Sequence, residues 1–382
     1  MPYFPKKLTE KLKARRLDST LRNLSLINNL VDFSSNDYLG FSKEGQIEKS
    51  AQNQMVGQLN ANGATGSRLL SGNHPLHEEL EALLVTFFEV ESGLLFNSGY
   101  DANIGFFSSI PQRGDIIFYD ELVHASIRDG IKMSDAKAYK FKHNDLSSLK
   151  QHIDRSRNQG FEGASYVVTE SIFSMDGDIP DLEELATYCS QNGLFLIVDE
   201  AHATGVFGKG LLHQLKLQDR VFAHIVTFSK ALGCHGAAIL GSSDLKDYLI
   251  NYARSFIYTT ALPPHDIAVI LSAFHHLQSE KGKMQIRRLQ ENIGYFKAKL
   301  DEFELWNVFL SNESAIQIAM IPENDKVRHV SNVLRDNGFD VRPILSPTVP
   351  KGKERLRFCV HAYNTKEEIK KVLSLLKQHH NG

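Results

Sequence analysis

The sequence predicts an α/β protein with a mostly parallel central sheet, helices on both faces, and a smaller α+β domain at its C-terminal end. Between about residues 90 and 245, short apolar runs alternate with helical segments. Several of those runs are apolar throughout instead of alternating with polar residues. A long helical region then spans about 262–303, and further strand-like and helical segments follow it. These three observations are typical of a parallel sheet that helices cover on both faces.

Seven apolar runs are predicted to form the strands of the central sheet. The intervening segments have helical character, and one of them opens on Asp181 and closes with Gly193, which are residue types typical of helix ends. In chain order the seven runs are GLLFNS, DIIFYD, AKAYKF, SYVVTES, LFLIVDE, HIVTFS and AAILGS.

The length of the chain predicts more than one domain. It has 382 residues, and a single hydrophobic core stops growing at about 250–300 residues. We therefore expect an N-terminal segment over 1–45, a large domain over 46–280 and a small C-terminal domain over 281–382.

Charge and composition argue against several classes of protein. The formal net charge is -2 and no long basic stripe is present, so we expect no nucleic-acid partner. No apolar run reaches the ~18 residues of a membrane helix, and the N-terminus lacks the pattern of a secretory signal, so we expect a cytoplasmic protein. Cys189, Cys234 and Cys359 have no metal or redox spacing, which favours core positions and predicts no metal.

Reactive side chains follow four of the predicted strands. In open parallel sheets, ligands bind at the carboxyl ends of the strands. We therefore expect these side chains to meet at one edge of the sheet. They are Asn97, Ser98, Gly99 and Tyr100; Ser174 and Asp176; Asp199, Glu200 and His202; and Thr227, Ser229 and Lys230.

Two of these groups are costly to bury, and each has more than one interpretation. Asp199 follows four apolar residues, and a buried carboxylate needs a cationic or hydrogen-bonding partner. That partner could be a protonated pyridine nitrogen, a structural arginine or the next turn. Lys230 could form an imine, in which case burial helps by lowering its pKa, or it could extend its head to water. His202 could join Asp199 on a metal, but no second pair accompanies them.

Two further features are weak signals by themselves. Gly99 stands where a helix begins after a strand, and the free N–H groups of such a turn are a natural seat for phosphate. His124 follows the DIIFYD strand and precedes a helical segment, again at a carboxyl end.

Nine blocks in fixed order resemble the α-oxoamine synthase family of fold-type I pyridoxal-phosphate enzymes, and together they cover nearly the whole chain. The resemblance implies the fold-type I transferase architecture and pyridoxal 5'-phosphate as cofactor. The blocks are FSSNDYLG at 33–40, GSRLLSGNHPLHEELE at 66–81, FNSGYDAN, VHASIRDG, TESIFSMDGD, VDEAHATG, TFSKALG, FIYTTALPP at 256–264 and SPTVPKGKERLRF at 346–358.

The resemblance implies a catalytic set of three residues. Lys230 is similar to the lysine that forms a Schiff base with the cofactor and later removes the Cα proton of the substrate. Asp199 would pair with the pyridinium nitrogen, and His124 would stack on the ring and assist decarboxylation. His202 would contact the hydroxyl side of the ring.

The remaining cofactor contacts are implied in the same way. Gly99, Tyr100 and Thr227 resemble positions around the phosphate, and Ser174 resembles one near the ring. Thr260 looks like the residue that reaches the phosphate of the neighbouring subunit, so the resemblance implies a homodimer with shared active sites.

The family joins an amino acid to an acyl thioester, usually with loss of carbon dioxide. The blocks are most similar to those of members that use L-alanine and a pimeloyl thioester, carried by coenzyme A or a carrier protein, in biotin biosynthesis. Arg357 looks like the arginine that binds the amino acid's carboxylate. Arg22 and Thr348 resemble residues on the substrate side, although Arg22 could instead be an exposed helix charge.

Alternatives stay open on the sequence alone. Other members of the family acetylate glycine, add a palmitoyl group to serine or make an autoinducer. A non-catalytic α/β protein with a structural Lys230 is a further alternative, but it leaves the ordered blocks unexplained. One departure from the family pattern concerns the acyl partner: this chain reads ILSPTVP where synthases often read IRPPTVP, so Leu345 replaces an arginine, and Arg342 stands three residues earlier.

Overall fold

The computed structural model describes residues 3–18, 20–22, 24, 29–55 and 62–380. Within these ranges, twelve strands form three sheets and fourteen α-helices accompany them. The strands are β1 Val31–Asp32, β2 Ser92–Phe96, β3 Ile116–Asp120, β4 Lys137–Phe141, β5 Ser165–Glu170, β6 Phe195–Asp199, β7 Ala223–Thr227, β8 Ala237–Gly241, β9 Ile316–Met320, β10 Phe339–Asp340, β11 Arg342–Ile344 and β12 Arg355–Cys359. The helices are α1 Lys6–Leu17, α2 Gly45–Met55, α3 Pro75–Phe88, α4 Gly99–Ser109, α5 Ala125–Met133, α6 Leu146–Asn158, α7 Leu182–Gln191, α8 Leu211–Gln214, α9 Ser243–Tyr252, α10 Arg254–Ile257, α11 Pro264–Gln278, α12 Glu280–Glu302, α13 Asn324–Asp336 and α14 Lys366–His379.

The seven runs predicted as strands form one sheet, which confirms that part of the prediction. Its order is β2-β8-β7-β6-β5-β3-β4, and β8 is antiparallel to both of its neighbours while the other pairs are parallel. Successive side chains of a strand point to opposite faces. Val167 belongs to one buried apolar cluster and Val168 to another, so both faces of the sheet are covered. This double burial explains why the runs lack polar alternation.

The parallel strands bring several polar side chains to one edge of the sheet. Asp120, Glu170, Asp199 and Thr227 are the last residues of β3, β5, β6 and β7, which run in the same direction. Glu170 and Asp199 are direct partners in the register of β5 and β6. The two carboxylates are therefore neighbours because the strands end together.

A second, antiparallel sheet of order β11-β12-β9 lies in the C-terminal part of the chain, with α13 packed against it. The long helical region predicted over 262–303 is two helices, α11 and α12. The break lies at Ser279, whose extended backbone ends α11 and whose hydroxyl accepts a hydrogen bond from Gly282 N of α12 at 3.2 Å. Among the described helices, none has both the length and the apolar content needed to cross a membrane.

The segment before the large sheet is attached to the C-terminal part of the chain. β1 pairs in parallel with β10, so Val31 lies opposite Phe339. Ser34 Oγ donates to Asp340 Oδ2 at 2.7 Å, and Ala362 N donates to the carbonyl of Tyr38 at 2.8 Å. These contacts join the predicted N-terminal segment to the predicted small domain, while the boundaries at 45 and 280 stay a proposal.

Candidate active site

A cavity of about 200 Å³ lies at the carboxyl edge of the large sheet. It contains nine of the residues that the sequence singled out: Ser98, Gly99, Tyr100, His124, Asp199, His202, Thr227, Ser229 and Lys230. The other lining residues are Asn103, Ser126, Glu170, Ala201 and Ile225. A larger, more open groove of about 650 Å³ between α12 and α14 contains none of the predicted site residues, so the chemistry points to the smaller cavity.

Lys230 lies in the tight turn that follows β7. Gly233 N donates to the Lys230 carbonyl at 2.9 Å, and Gly233 has a positive φ of 61°. A side chain at Gly233 would meet Ser42 N at 2.2 Å, so the turn requires glycine. Burial lowers the pKa of Lys230 to about 8, although the carboxylates of Asp199 and Glu170 oppose that shift. Near neutral pH the amine can therefore give up its proton more readily than an ordinary lysine, as a nucleophile or base requires.

Asp199 is buried, with 7% of its surface exposed. Its Oδ2 accepts a hydrogen bond from Asn103 Nδ2 at 3.0 Å, and its Oδ1 accepts one from Ala201 N at 2.9 Å. The carboxylate therefore caps the next turn, which was one of the open interpretations, and it forms no ion pair with an arginine in the described part of the chain. Each carboxylate oxygen keeps a further acceptor position for a group in the cavity.

Glu170 is a site residue that the sequence reasoning missed. It is 4% exposed and accepts a hydrogen bond from the backbone N–H of His124. Burial and the neighbouring charge of Asp199 raise the pKa of Glu170 to about 8, against the opposing effect of Lys230. At neutral pH this carboxyl group therefore holds a proton, as expected when two carboxylates share a dry site.

His124 caps the N-terminus of α5 beside the cavity. Its Nδ1 lies 2.7 Å from Ser126 Oγ and accepts from Ser126 N at 3.3 Å. Burial and the positive charge of Lys230 lower the pKa of His124. The imidazole ring is therefore neutral at physiological pH, and its position is fixed by the first turn of the helix.

His202 is buried at the cavity and contacts the segment before the large sheet. Its Nδ1 lies 2.7 Å from the hydroxyl of Tyr38. Burial lowers the pKa of His202 well below its usual range, with further contributions from the charges of Lys230 and Arg357. This ring is also neutral.

The N-terminus of α4 forms one end of the cavity. Ser98 caps it by accepting from Asp101 N at 3.1 Å. The first N–H groups of a helix have no partner within the helix and favour an anion. Thr227 lies close by, since a side chain at Gly99 would meet Thr227 Oγ1 at 3.5 Å. The hydroxyl of Tyr100 instead donates to Asp129 at 2.9 Å, toward the surface.

Arg357, on β12, is buried by contacts from three segments. Its Nε donates to the Ser174 carbonyl at 2.8 Å, and its Nη2 donates to Asn36 Oδ1 at 2.9 Å. Its Nη1 lies 3.0 Å from Cys359 Sγ. Ser174 is thus near the arginine through its backbone, and neither Ser174 nor Arg357 is among the residues that line the cavity.

The structure does not bring every predicted site residue to the cavity. Arg22, Thr260 and Thr348 are exposed and outside it in the single chain. Arg342 forms an ion pair with Asp340, with Nε and Oδ1 2.8 Å apart, and Leu345 packs against the apolar core. Arg342 is therefore engaged away from the cavity.

Among the described residues, no group of three or more His, Cys, Asp or Glu side chains is placed to hold a metal ion. His202 and Asp199 both line the cavity, but they belong to no such group.

The residues that were missed carried different amounts of sequence signal. Glu170 ends the SYVVTE strand, so the rule that singled out Asp199 could have found it. Asn103 stands four residues after Gly99 on α4, and this spacing places both on one helix face. Tyr38 and Asn36 had no such signal, because they reach the site from a segment more than 150 residues away in sequence.

Residues 28–376 match the model of the aminotransferase class I and II family. The chain belongs to that family. An 8-amino-7-oxononanoate synthase of Emericella nidulans is 40% identical, over 97% of this chain and 94% of the relative. Another from Lysinibacillus sphaericus is 36% identical, over 97% of this chain and 94% of the relative. The predicted membership of the α-oxoamine synthases is confirmed, and the chain is a pyridoxal-phosphate-dependent acyltransferase.

Solved structures agree with this family. An 8-amino-7-oxononanoate synthase from Francisella tularensis is 29% identical, covers 91% of this chain and 97% of its own, and has a TM-score of 0.77. A serine palmitoyltransferase from S. paucimobilis, solved with pyridoxal phosphate bound, has a TM-score of 0.88 at 24% identity over 98% of this chain and 97% of its own. At that identity the second likeness shows the fold, which confirms the predicted fold-type I architecture.

The cavity of this chain fits pyridoxal phosphate. The N-terminus of α4 and the hydroxyls of Thr227 and Ser229 suit a phosphate group at one end. Asp199 supplies a carboxylate with free acceptor positions for a protonated ring nitrogen, and Lys230 supplies the amine. Asn103 Oδ1 is buried without a partner in the described chain, which is consistent with a cavity built for another polar group.

Proposed function

We propose that the enzyme condenses L-alanine with a pimeloyl thioester to give 8-amino-7-oxononanoate, carbon dioxide and the free thiol, as a step of biotin biosynthesis. The observation that carries this proposal is the identity of 40% over 97% of the chain to a relative named for that product. The family resemblance of the blocks FSSNDYLG and SPTVPKGKERLRF supports it.

The proposed catalytic roles follow from the chemistry of the cavity. Pyridoxal phosphate supplies an electron sink for the charge that develops at the substrate's Cα. Lys230 takes the Cα proton onto Nζ, a task for which its pKa of about 8 is suited. Asp199 keeps the ring nitrogen protonated, and Glu170 lies beside it as a protonated, uncharged neighbour. His124, which lines the cavity, would stack on the ring and donate a hydrogen bond during decarboxylation.

Arg357 is the proposed contact to the amino-acid substrate. Its guanidinium group binds the carboxylate of alanine, because a planar fork of donors matches two oxygens. Arg22 and Thr348 are the proposed contacts to the acyl partner. Leu345 replaces a cationic residue with an apolar one, so the distal end of the acyl chain meets a less positive surface than an arginine would provide.

We also propose that the enzyme is a cytoplasmic homodimer. Thr260 is exposed in the single chain, and it would reach the phosphate of the neighbouring subunit's cofactor. Gly99, Tyr100, Thr227 and Ser174 remain the proposed contacts within one subunit.

A matrix of substrates tests the proposed reaction. Alanine, glycine and serine are each assayed with acetyl, pimeloyl and palmitoyl thioesters of coenzyme A, and with a pimeloyl carrier protein. We expect turnover with alanine and a pimeloyl thioester to exceed the other combinations by at least about tenfold. Turnover confined to glycine with acetyl-CoA, or to serine with palmitoyl-CoA, would overturn the biotin assignment.

The location of the cofactor has its own test. Borohydride treatment of the holoenzyme followed by peptide mapping should place the reduced cofactor on Lys230. Fixation on any other lysine would contradict the proposed roles of the cavity residues, whatever the substrate matrix shows.

A further inference from the structure

Tyr38 lies between His202 and Arg357. Neither the family resemblance nor the proposed reaction assigns it a role. Its side chain is 1% exposed, and its hydroxyl has two polar neighbours. His202 Nδ1 is 2.7 Å away, and Asn36 Oδ1 is 3.2 Å away. Asn36 Oδ1 also accepts from Arg357 Nη2 at 2.9 Å. Close polar contacts through Tyr38 and Asn36 therefore link His202, in the cavity, to Arg357.

The hydroxyl of Tyr38 has a single proton to place. Burial raises the pKa of Tyr38 far above its ordinary value, so the proton stays on the hydroxyl group. The titratable groups facing it are His202, Arg357 and Cys359. Asn36 Oδ1 already has a charged donor in Arg357, and the contact to His202 Nδ1 is the shorter of the two.

Because His202 is neutral, the acceptor of the Tyr38 proton determines which ring nitrogen of His202 carries a hydrogen. A neutral imidazole carries one N–H, so the partner of one nitrogen fixes the role of the other. If Tyr38 donates to Nδ1, then Nε2 must carry the hydrogen. Nε2 has no hydrogen-bond partner among the described residues, and His202 lines the cavity.

We propose that Tyr38 is a positioning residue that donates its proton to His202 Nδ1 and thereby holds Nε2–H as a donor toward the cofactor. The group that would receive this hydrogen bond is the ring oxygen of pyridoxal phosphate, an anionic acceptor next to the Lys230 nitrogen. The inference rests on the proposed placement of the cofactor at Lys230.

The expected consequence concerns the proton on the Lys230 nitrogen of the holoenzyme. A donor at the ring oxygen draws negative charge away from that proton, so the nitrogen loses it at lower pH. In Tyr38→Phe, His202 is free to take the other tautomer and this donor is weakened. The Lys230 nitrogen should then hold its proton to higher pH.

The absorbance of the bound cofactor measures this effect without turnover. We expect the pH midpoint of the absorbance change to rise by about half a pH unit to one unit in Tyr38→Phe, since one hydrogen bond is at stake. The matched control is Tyr363→Phe, which removes a hydroxyl that donates to Asp32 Oδ2 at 3.0 Å, away from His202. An unchanged midpoint in folded Tyr38→Phe, or an equal rise in Tyr363→Phe, would overturn the proposal.

A second measurement reads the wild-type holoenzyme, so it does not depend on the stability of Tyr38→Phe. Nitrogen-15 spectra of labelled histidine, with His202 assigned by His202→Gln, report which ring nitrogen carries the hydrogen. Hydrogen on Nε2 supports the proposal, and hydrogen on Nδ1 sinks it. Borohydride fixation distinguishes failure of this inference from failure of the proposed function. If the cofactor is fixed on Lys230 and the Tyr38 test fails, only the inference about Tyr38 is removed. If the cofactor is not fixed on Lys230, its proposed placement fails too.

Discussion

Lys230 and Glu170 influence each other's pKa, and the charge of Asp199 acts on both. Lys230 and Glu170 both have a pKa of about 8, whereas ordinary lysine and glutamate differ by six units. Burial shifts the pKa of each group in the direction that favours its neutral form, and the negative charge of Asp199 raises both pKa values. Both groups therefore titrate close to neutral pH, which suits a site that must accept and return a Cα proton.

Arg357 provides a prediction at the scale of one side chain. Arg357→Lys should raise the KM for alanine by about 10- to 100-fold, because lysine cannot keep the bonds to Ser174 and Asn36 while it binds a carboxylate with two donors. The KM for the acyl thioester is the internal control and should stay within about threefold. A rise confined to the thioester KM would place Arg357 on the acyl side instead.

The sequence revealed most site residues at the carboxyl ends of strands, although it missed Glu170, and it missed those that come from distant segments. Lys230, Asp199 and His202 lie at or just after the ends of buried strands, where the sheet itself brings them together. Tyr38 depends on the pairing of β1 with β10, which is two residues long and has no hydrophobic pattern of its own. The protonation of Glu170 was also unpredictable, because it depends on the register between β5 and β6.

At the scale of elements, a histidine clamp holds the loop between β5 and α7 against the sheet. The clamp consists of His143, Asp120 and Asp178: Nδ1 lies 2.9 Å from Asp120 Oδ1, and Nε2 lies 2.7 Å from Asp178 Oδ2. The same loop carries Ser174, whose carbonyl receives Arg357. The clamp therefore holds in place the loop whose Ser174 carbonyl accepts a hydrogen bond from Arg357.

The clamp gives stability a defined dependence on pH. Burial by itself would lower the pKa of His143, but the hydrogen bonds and charges of Asp120 and Asp178 raise it to about 10 from 6.5. Since the folded value is higher than the unfolded one, the stabilisation is complete below about pH 6.5 and is lost as the pH rises toward 10.

We expect His143→Gln to lower the free energy of unfolding by about 2 kcal/mol below pH 6.5, allowing for partial solvent screening, and the gap to wild type to narrow toward pH 10. Denaturant unfolding at a series of pH values measures this difference. His329→Gln, at an exposed position on α13, is the control and should stay within about 0.5 kcal/mol of wild type at every pH. A gap that is constant with pH would contradict the clamp.

The elements themselves were largely predictable because burial on both faces produces the uniform runs that the sequence shows. The break between α11 and α12 was not, since helical character continues through Ser279 and only the cap marks the end. The clamp was equally hidden, because its three members come from separate segments and meet only in the folded sheet.

At the scale of the whole molecule, one apolar patch marks the proposed subunit interface. It consists of Leu69, Leu70 and Tyr258, which are 52%, 85% and 72% exposed. The turn that carries the two leucines is joined to the segment containing Thr260, since Ala261 N donates to the Gly66 carbonyl at 3.0 Å. Large apolar side chains clustered at the surface are typical of an interface.

Leu70→Asp should therefore shift the enzyme from two chains toward one, because a carboxylate would have to be buried in the interface. Sedimentation velocity measures the change. Met284→Asp is the matched control, since Met284 is also exposed, at 59%, but lies on α12 outside the patch. Equal dissociation of both variants, or of neither, would remove the patch from the interface.

The pairing of β1 with β10 has a consequence for how the enzyme is made on the ribosome. Ser34 cannot bond to Asp340 until that residue, 306 positions later, has been translated. At 5–20 residues per second, translation of this stretch takes roughly 15–60 s. The sheet that carries Lys230 ends at Gly241, so it can emerge and begin to fold well before then. Asn36 can meet Arg357 only after that sheet has been synthesised, so the proposed amino-acid site forms later than the site around Lys230 can begin to form.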